Sequence, residues 1–176
     1  MERFAEPRLL ENPTHRDTRG YFRRIYGVDC PGAYFDAGPK QVNLSQNTRR
    51  GTVRGMHFQT PEMETKIVSC IAGRIFDVLV DIRKSSPNYL KWTAYELDET
   101  SGKFLLVPEG FAHGFQTLTD DVKILYFHDR AYDANSPGRL NPRDPDLAIG
   151  WPLDISEISE ADATAPMLAK ERKKDS

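Results

Sequence analysis

Arg74-Ile75-Phe76-Asp77-Val78-Leu79-Val80-Asp81-Ile82 alternates without a break. Phe76, Val78, Val80 and Ile82 fall on one face, and Ile75, Asp77, Leu79 and Asp81 on the other, so the period is two and the segment is a strand. Gly73 separates it from another strand, Lys66 to Ala72. Further out, similar segments run from Gln41 to Ser45, Trp92 to Leu97, Phe104 to Val107, Gly114 to Leu118 and Val122 to His128. Turn clusters stand between them, such as Lys84-Ser85-Ser86-Pro87-Asn88 and Thr119-Asp120-Asp121. Many short strands punctuated in this way predict an all-β barrel or sandwich. No helical stripe occurs before residue 155, and Ser159-Glu160-Ala161-Asp162 reads as a short C-terminal helical segment with Ser159 as its cap.

At 176 residues the chain suffices for one domain, which would bury about 70% of its unfolded surface. Residues 1–168 are expected to form that domain, and the charged run 169–176 a disordered tail. A net charge of -2 supplies no basic field for nucleic acid. No apolar run approaches the roughly 18 residues that cross a bilayer. Met1-Glu2-Arg3-Phe4 lacks the apolar core of a signal peptide. Cys30 and Cys70 form no C-x-x-C pair and read as reduced, packed thiols of a cytoplasmic protein, with a disulfide between them left open.

The chemistry gathers around Thr52-Val53-Arg54-Gly55-Met56-His57-Phe58-Gln59. Arg54 is permanently charged and suits a carboxylate or phosphate. His57 can take a proton near neutral pH. Gly55 between them suggests a bulge or a close backbone approach. Downstream stand Lys66, His113 and Tyr126, and Tyr126 is in phase with Val122 and Ile124, so it should point inward. A base, cationic groups and a phenol together suit removal and return of a proton beside a carbonyl. Two segments stay open. Tyr21-Phe22-Arg23-Arg24-Ile25-Tyr26 is either an edge strand or a source of stacking rings and cations. Gln41, Asn43 and Ser45 share one face of their strand, Val42 and Leu44 the other, and the polar face either meets water or reads a ligand.

Pro108-x-Gly110-x-x-His113 is similar to the second motif of the cupins, small jelly-roll barrels. Metal cupins have a histidine where this chain has Gln59, so the set that remains, His57, Glu64 and His113, is damaged, and neither a metal nor another cofactor is expected. More closely, the chain resembles the dTDP-4-dehydrorhamnose 3,5-epimerase family from about Phe4 to Leu168. The motifs are Asp17-x-Arg19-Gly20-x-Phe22, Gln41-x-Asn43-x-Ser45, Arg54-Gly55-x-His57-x-Gln59, Lys66, Asp77-Val78-x-Val80-Asp81, Pro108-Glu109-Gly110-Phe111-Ala112-His113-Gly114-Phe115, Leu125-Tyr126, Asp144-Pro145-x-Leu147-x-Ile149-x-Trp151-Pro152 and Asp162-x-x-x-Pro166.

The resemblance implies a cupin jelly-roll, a metal-free homodimer and epimerisation at C3 and/or C5 of a nucleotide-linked 4-keto-6-deoxy sugar. It implies His57 as base, Asp162 as its partner, Tyr126 as acid on the opposite face and Lys66 at the enolate oxygen. It implies Arg19, Arg54 and His113 at the pyrophosphate or sugar, Gln41 and Asn43 at the nucleotide, and Phe22 at its base, some of them across the dimer interface. The family usually has Glu at the position of Arg24, an acid near Pro137 and often Lys at Ala161. A donor-only Arg24 suits a cytosine edge better than a thymine edge, so a CDP sugar is one alternative. A single-centre epimerase or ketoisomerase, and a non-catalytic sugar-nucleotide-binding cupin, are others.

Overall fold

Alternation carries the fold as read from β-type periodicity. The computed structural model describes residues 5–27, 29, 34–134 and 137–168. Its strands are β1 (Arg8–Glu11), β2 (Thr14–Asp17), β3 (Gly20–Arg23), β4 (Gln41–Asn47), β5 (Thr52–Gln59), β6 (Lys66–Ala72), β7 (Arg74–Asp81), β8 (Trp92–Asp98), β9 (Lys103–Val107), β10 (Phe111–Thr117), β11 (Val122–His128), β12 (Pro137–Arg139) and β13 (Glu157–Ile158), followed by α1 (Glu160–Ala163). One sheet has the order β1-β9-β6-β11-β4 and the other β12-β5-β10-β7-β8, with β13 added parallel to β5. β2 and β3 form a separate hairpin. The two large sheets face each other as a jelly-roll barrel.

The interior draws from both sheets: Val68 and Cys70, Ile75 and Leu79, Leu105 and Val107, Val122 and Ile124 form one cluster, with Tyr126 packed against it. Ile75 and Leu79 are fully buried, and burial of each such side chain stabilises by about 1.5–3 kcal/mol. The alternate residues of β7 serve the other side. Val78 and Val80 pack outside the sheet with Leu140, Leu147 and Trp151 of the C-terminal segment. The Asp144–Trp151 motif is thereby explained as a fastening. Asp144 Oδ2 accepts from Leu168 N–H (2.6 Å), and Asn141 Nδ2 donates to the carbonyls of Ala163 and Ala165. These bonds hold α1 against β5, and Ser159 caps it by accepting from Asp162 N–H.

Several elements differ from the sequence expectation. The N-terminal region holds three short strands, and β10 begins at Phe111 rather than at Gly114. On β4 the alternation does not sort burial: Val42, Asn43 and Leu44 are all exposed, Val42 and Leu44 at 52% and 61%, while Ser45 is half-buried. Cys70 is a buried free thiol, pushed up to about 12 mainly by burial. Cys30 and the expected 169–176 tail lie outside the described residues.

The register of β5 matters most. His57 pairs with His113 and Arg54 with Phe115, so three steps on β5 oppose two on β10. Residues three apart on a regular strand point to opposite faces. One extra residue restores the phase, and Arg54 and His57 both reach the interior. Gly55 occupies the bulge with φ +117°, and a Cβ there would lie 2.6 Å from Gly114 Cα and 2.7 Å from the His113 carbonyl oxygen. Gly55→Ala is therefore expected to lower the unfolding free energy by at least about 1–3 kcal/mol, with a denaturant melt as the check. A midpoint equal to wild type would contradict the steric role given to Gly55.

Candidate functional site

A cavity of about 320 Å³ opens between the sheets, within the usual range for a small-ligand site. One wall supplies Arg54 and His57 from β5, His113 from β10 and Arg139 from β12. The facing wall supplies Asn43 and Ser45 from β4, Lys66 from β6, and Tyr126 and His128 from β11. Strand phase explains the second wall. Lys66 is in step with inward Val68 and Cys70, and Tyr126 and His128 with inward Val122 and Ile124.

His57 is set by a carboxylate 105 positions away. Its Nε2 donates to Asp162 Oδ1 (2.7 Å), which leaves Nδ1 as the proton acceptor. Asp162 Oδ2 accepts from Gly55 N–H (3.2 Å), so the bulge also supplies a donor to the group that orients His57. Burial pushes the Asp162 carboxyl up, but the hydrogen bond and charge of His57, with Gly55 N–H and Ser159, outweigh it and hold Asp162 below the ordinary aspartate range. Arg139 Nε stands 3.3 Å from Asp162 Oδ1, close enough for an ion pair though not aligned for a hydrogen bond.

Tyr126 presents the opposite chemistry. Burial, reinforced by the charge of Asp77 and only partly offset by Arg54 and a hydrogen bond with Ser45, drives its phenol far above the ordinary tyrosine value. It is thus held protonated, as a proton donor must be. His113 packs edge-on to the Tyr126 ring and is fixed by Asp77, Nε2 to Oδ1 at 2.5 Å. Arg54 is fixed by donation from Nε to Asn47 Oδ1 (2.6 Å). Lys66 Nζ lies 3.0 Å from Glu64 Oε1, and Glu64 Oε2 accepts from His128 Nδ1 (2.7 Å). The three side chains of the damaged metal set are thus each engaged elsewhere: His57 with Asp162, His113 with Asp77, and Glu64 with Lys66 and His128. Among the described residues no three His, Cys, Asp or Glu side chains converge on one point.

The family model described as dTDP-4-dehydrorhamnose 3,5-epimerase matches residues 3–170. The chain belongs to that family. The enzyme of that name from Streptomyces griseus is 41% identical over 92% of this chain and 82% of its own. The crystal structure of the Bacillus anthracis dTDP-4-dehydrorhamnose 3,5-epimerase, with TDP and PPi bound, superposes with a TM-score of 0.85 at 36% identity, covering 93% of this chain and 94% of that one. A 3′-monoepimerase from Streptomyces bikiniensis, in complex with dTDP-quinovose, gives a TM-score of 0.86 at 31% identity, covering 96% and 87%.

In this family member His57, Asp162, Tyr126, Lys66, Arg54, His113 and Asn43 come together at or beside the cavity. Arg19, Phe22 and Arg24 do not. Arg19 sits at the exposed β2–β3 turn paired with Asp17 (2.6 Å), Phe22 on β3 is 71% exposed, and Arg24 pairs with Asp29 (3.1 Å) on the surface. Gln41 and Asn43 hydrogen-bond each other (3.0 Å). Gln59 is buried, with Oε1 accepting from Asp133 N–H (3.0 Å), so it ties down the loop after β11. Sequence reasoning passed over His128 and Arg139. His128 could have been found, since it stands two residues from Tyr126 on the same face. Arg139 follows a Gly-Pro stretch without periodicity and gave no such signal.

A depressed carboxyl contributes stability that is present above its unfolded value and lost as pH falls through its folded value. The unfolding free-energy difference between wild type and Asp162→Asn should be largest near neutral pH and should narrow below the ordinary aspartate value of 3.8. Urea melts across pH would show this, and a difference independent of pH would contradict the ionised contact.

Proposed function

We propose that the chain epimerises a dTDP-linked 4-keto-6-deoxy sugar, without metal or other cofactor. The observation that carries this is the pairing of a carboxylate-backed imidazole on one sheet with a protonated phenol on the facing sheet, across one cavity. A 4-keto group acidifies the protons on C3 and C5. His57 Nδ1 takes one of them, and the charge that develops on the C4 oxygen meets Lys66. Tyr126 returns a proton from the other side, which inverts the carbon. His57 then releases its proton to solvent and the phenol is refilled. Arg54 and His113 suit the pyrophosphate and sugar. Of the relatives described above, one solved structure carries TDP and PPi and the other dTDP-quinovose. Arg24, paired with Asp29 on the surface, stands outside this chain's own cavity, so the choice of dTDP over a CDP sugar rests on those relatives.

A single-centre reaction is the second reading, because the 3′-monoepimerase superposes as well as the 3,5-epimerase does. The mixed chemistry of β4 supports a homodimer: it is an edge strand whose Val42 and Leu44 are exposed. Arg19 and Phe22, outside this chain's own cavity, would then serve the partner's. A free buried Cys70 is in keeping with a cytoplasmic location. Among the described residues no helix is long and apolar enough to cross a membrane.

The reaction is tested by proton NMR of the 4-keto sugar nucleotide in D2O, with EDTA present. His57→Ala should lose deuterium wash-in by about 10²–10⁴-fold. Tyr126→Phe should retain wash-in better than inversion, since the phenol acts after the enolate forms. Tyr126→Phe inverting at the wild-type rate would overturn the acid assignment, and EDTA-sensitive activity would overturn the metal-free one. In sedimentation velocity the wild type should run at twice the 20.0 kDa chain mass, and Leu44→Asp should shift it to monomer. A wild-type monomer would contradict the dimer.

A further inference from the structure

Among the described residues Glu64 is the one carboxylate lining a cavity that also presents Arg54, Lys66 and Arg139. A carboxylate facing a site for an anionic substrate is unfavourable unless it is committed elsewhere. Glu64 is committed twice. Its side chain is 9% exposed, Oε1 meets Lys66 Nζ at 3.0 Å, and Oε2 accepts from His128 Nδ1 at 2.7 Å. Lys66 and His128 are direct cross-strand partners on β6 and β11.

Behind this pair runs a string of hydrogen bonds with one direction. Tyr132 N–H can only donate, and it donates to Gln41 Oε1 (2.9 Å). Gln41 Nε2 therefore donates to Asn43 Oδ1 (3.0 Å), and Asn43 Nδ2 approaches His128 Nε2 (3.3 Å) as a donor. That fixes His128 with its proton on Nδ1, where it is given to Glu64. Burial pushes Glu64 up, but the His128 hydrogen bond and Lys66 outweigh it and hold Glu64 at about 2, so it stays ionised.

Lys66 has a side chain only 7% exposed. Burial of an ammonium without a counter-charge disfavours its charged form. Besides Glu64 and His128, the other charged or titratable groups facing the cavity are Arg54 and His57 from β5, His113 from β10, Tyr126 from β11, Tyr132 after it and Arg139 from β12, and none of them is a carboxylate. We infer that Glu64, oriented by His128, is the positioning residue of Lys66: it keeps the ammonium charged and at a fixed place on the cavity wall. The inference rests on the epimerase reading of this cavity.

The pH profile of kcat tests it. Glu64→Gln keeps the shape and one acceptor oxygen but removes the charge. Its alkaline limb should move down by about one pH unit or more, with kcat reduced more than KM changes. Because arginine does not titrate, Glu64→Gln/Lys66→Arg should lose that shift. An unmoved limb in Glu64→Gln would overturn the inference. Should Glu64→Gln fail to fold by circular dichroism, Glu64→Asp replaces it. The shortened stem should lower kcat at an unmoved limb, and a wild-type kcat would overturn the inference. A readout independent of turnover is acetic anhydride labelling at pH 8, mapped by peptide mass spectrometry. Lys66 should react faster in Glu64→Gln, as the neutral amine is the nucleophile, and an equal rate overturns the inference. An inactive wild type whose Lys66 labels as expected would instead sink the epimerase reading alone.

Discussion

One extra residue in β5 is the constraint on which the site depends. A regular strand would turn Arg54 and His57 to opposite faces, one to the interior and one away from it. The bulge at Gly55 restores the phase and brings both inward. It also turns Gly55 N–H toward Asp162, the carboxylate that orients His57. A backbone irregularity thus supplies the direction of His57, the direction of Arg54 and one anchor of Asp162. Only glycine fits there, because the His113–Gly114 backbone of β10 fills the space a Cβ would need.

The rest of the barrel keeps that arrangement rigid. Asp162 arrives on a four-residue helix, too short to hold itself in place. Its position comes from Asn141 and Asp144, which bind the end of the C-terminal segment, and from Leu140, Leu147 and Trp151 packed on the outer face of the sheet. The facing wall is organised differently. There Lys66, Glu64, His128, Asn43 and Gln41 hold one another through a continuous polar string, which ends at the backbone of Tyr132. One wall is positioned by a bulge and a remote carboxylate, the other by a hydrogen-bonded chain.

Much of this was legible in the sequence, for physical reasons. β7 alternates because its two faces meet two different apolar layers, and Gly73 marks its start without ambiguity. Gly55 between Arg54 and His57 signalled the bulge. The inward aim of Tyr126 followed from phase with Val122 and Ile124. What periodicity could not supply was contact at long range. Asp162 lies 105 residues from His57, and only family resemblance joined them. On β4 the usual rule misleads, since Asn43 and Ser45 line a cavity while Val42 and Leu44 are exposed at an edge. The short polar strands β1 to β3 gave no pattern long enough to read. Arg19 and Phe22, assigned to the substrate by resemblance, stand away from this chain's cavity, where a sequence without a partner cannot place them.

The central claim is that base and acid address one ring from opposite sides. A crystal structure of the protein with a dTDP-linked 6-deoxy sugar tests it most directly. The account predicts the sugar between the sheets, with His57 Nδ1 on one side of the ring and the Tyr126 hydroxyl on the other, each about 3–3.5 Å from the reacting position. A sugar seated outside the cavity, or one with both groups on the same side of its ring, would contradict it.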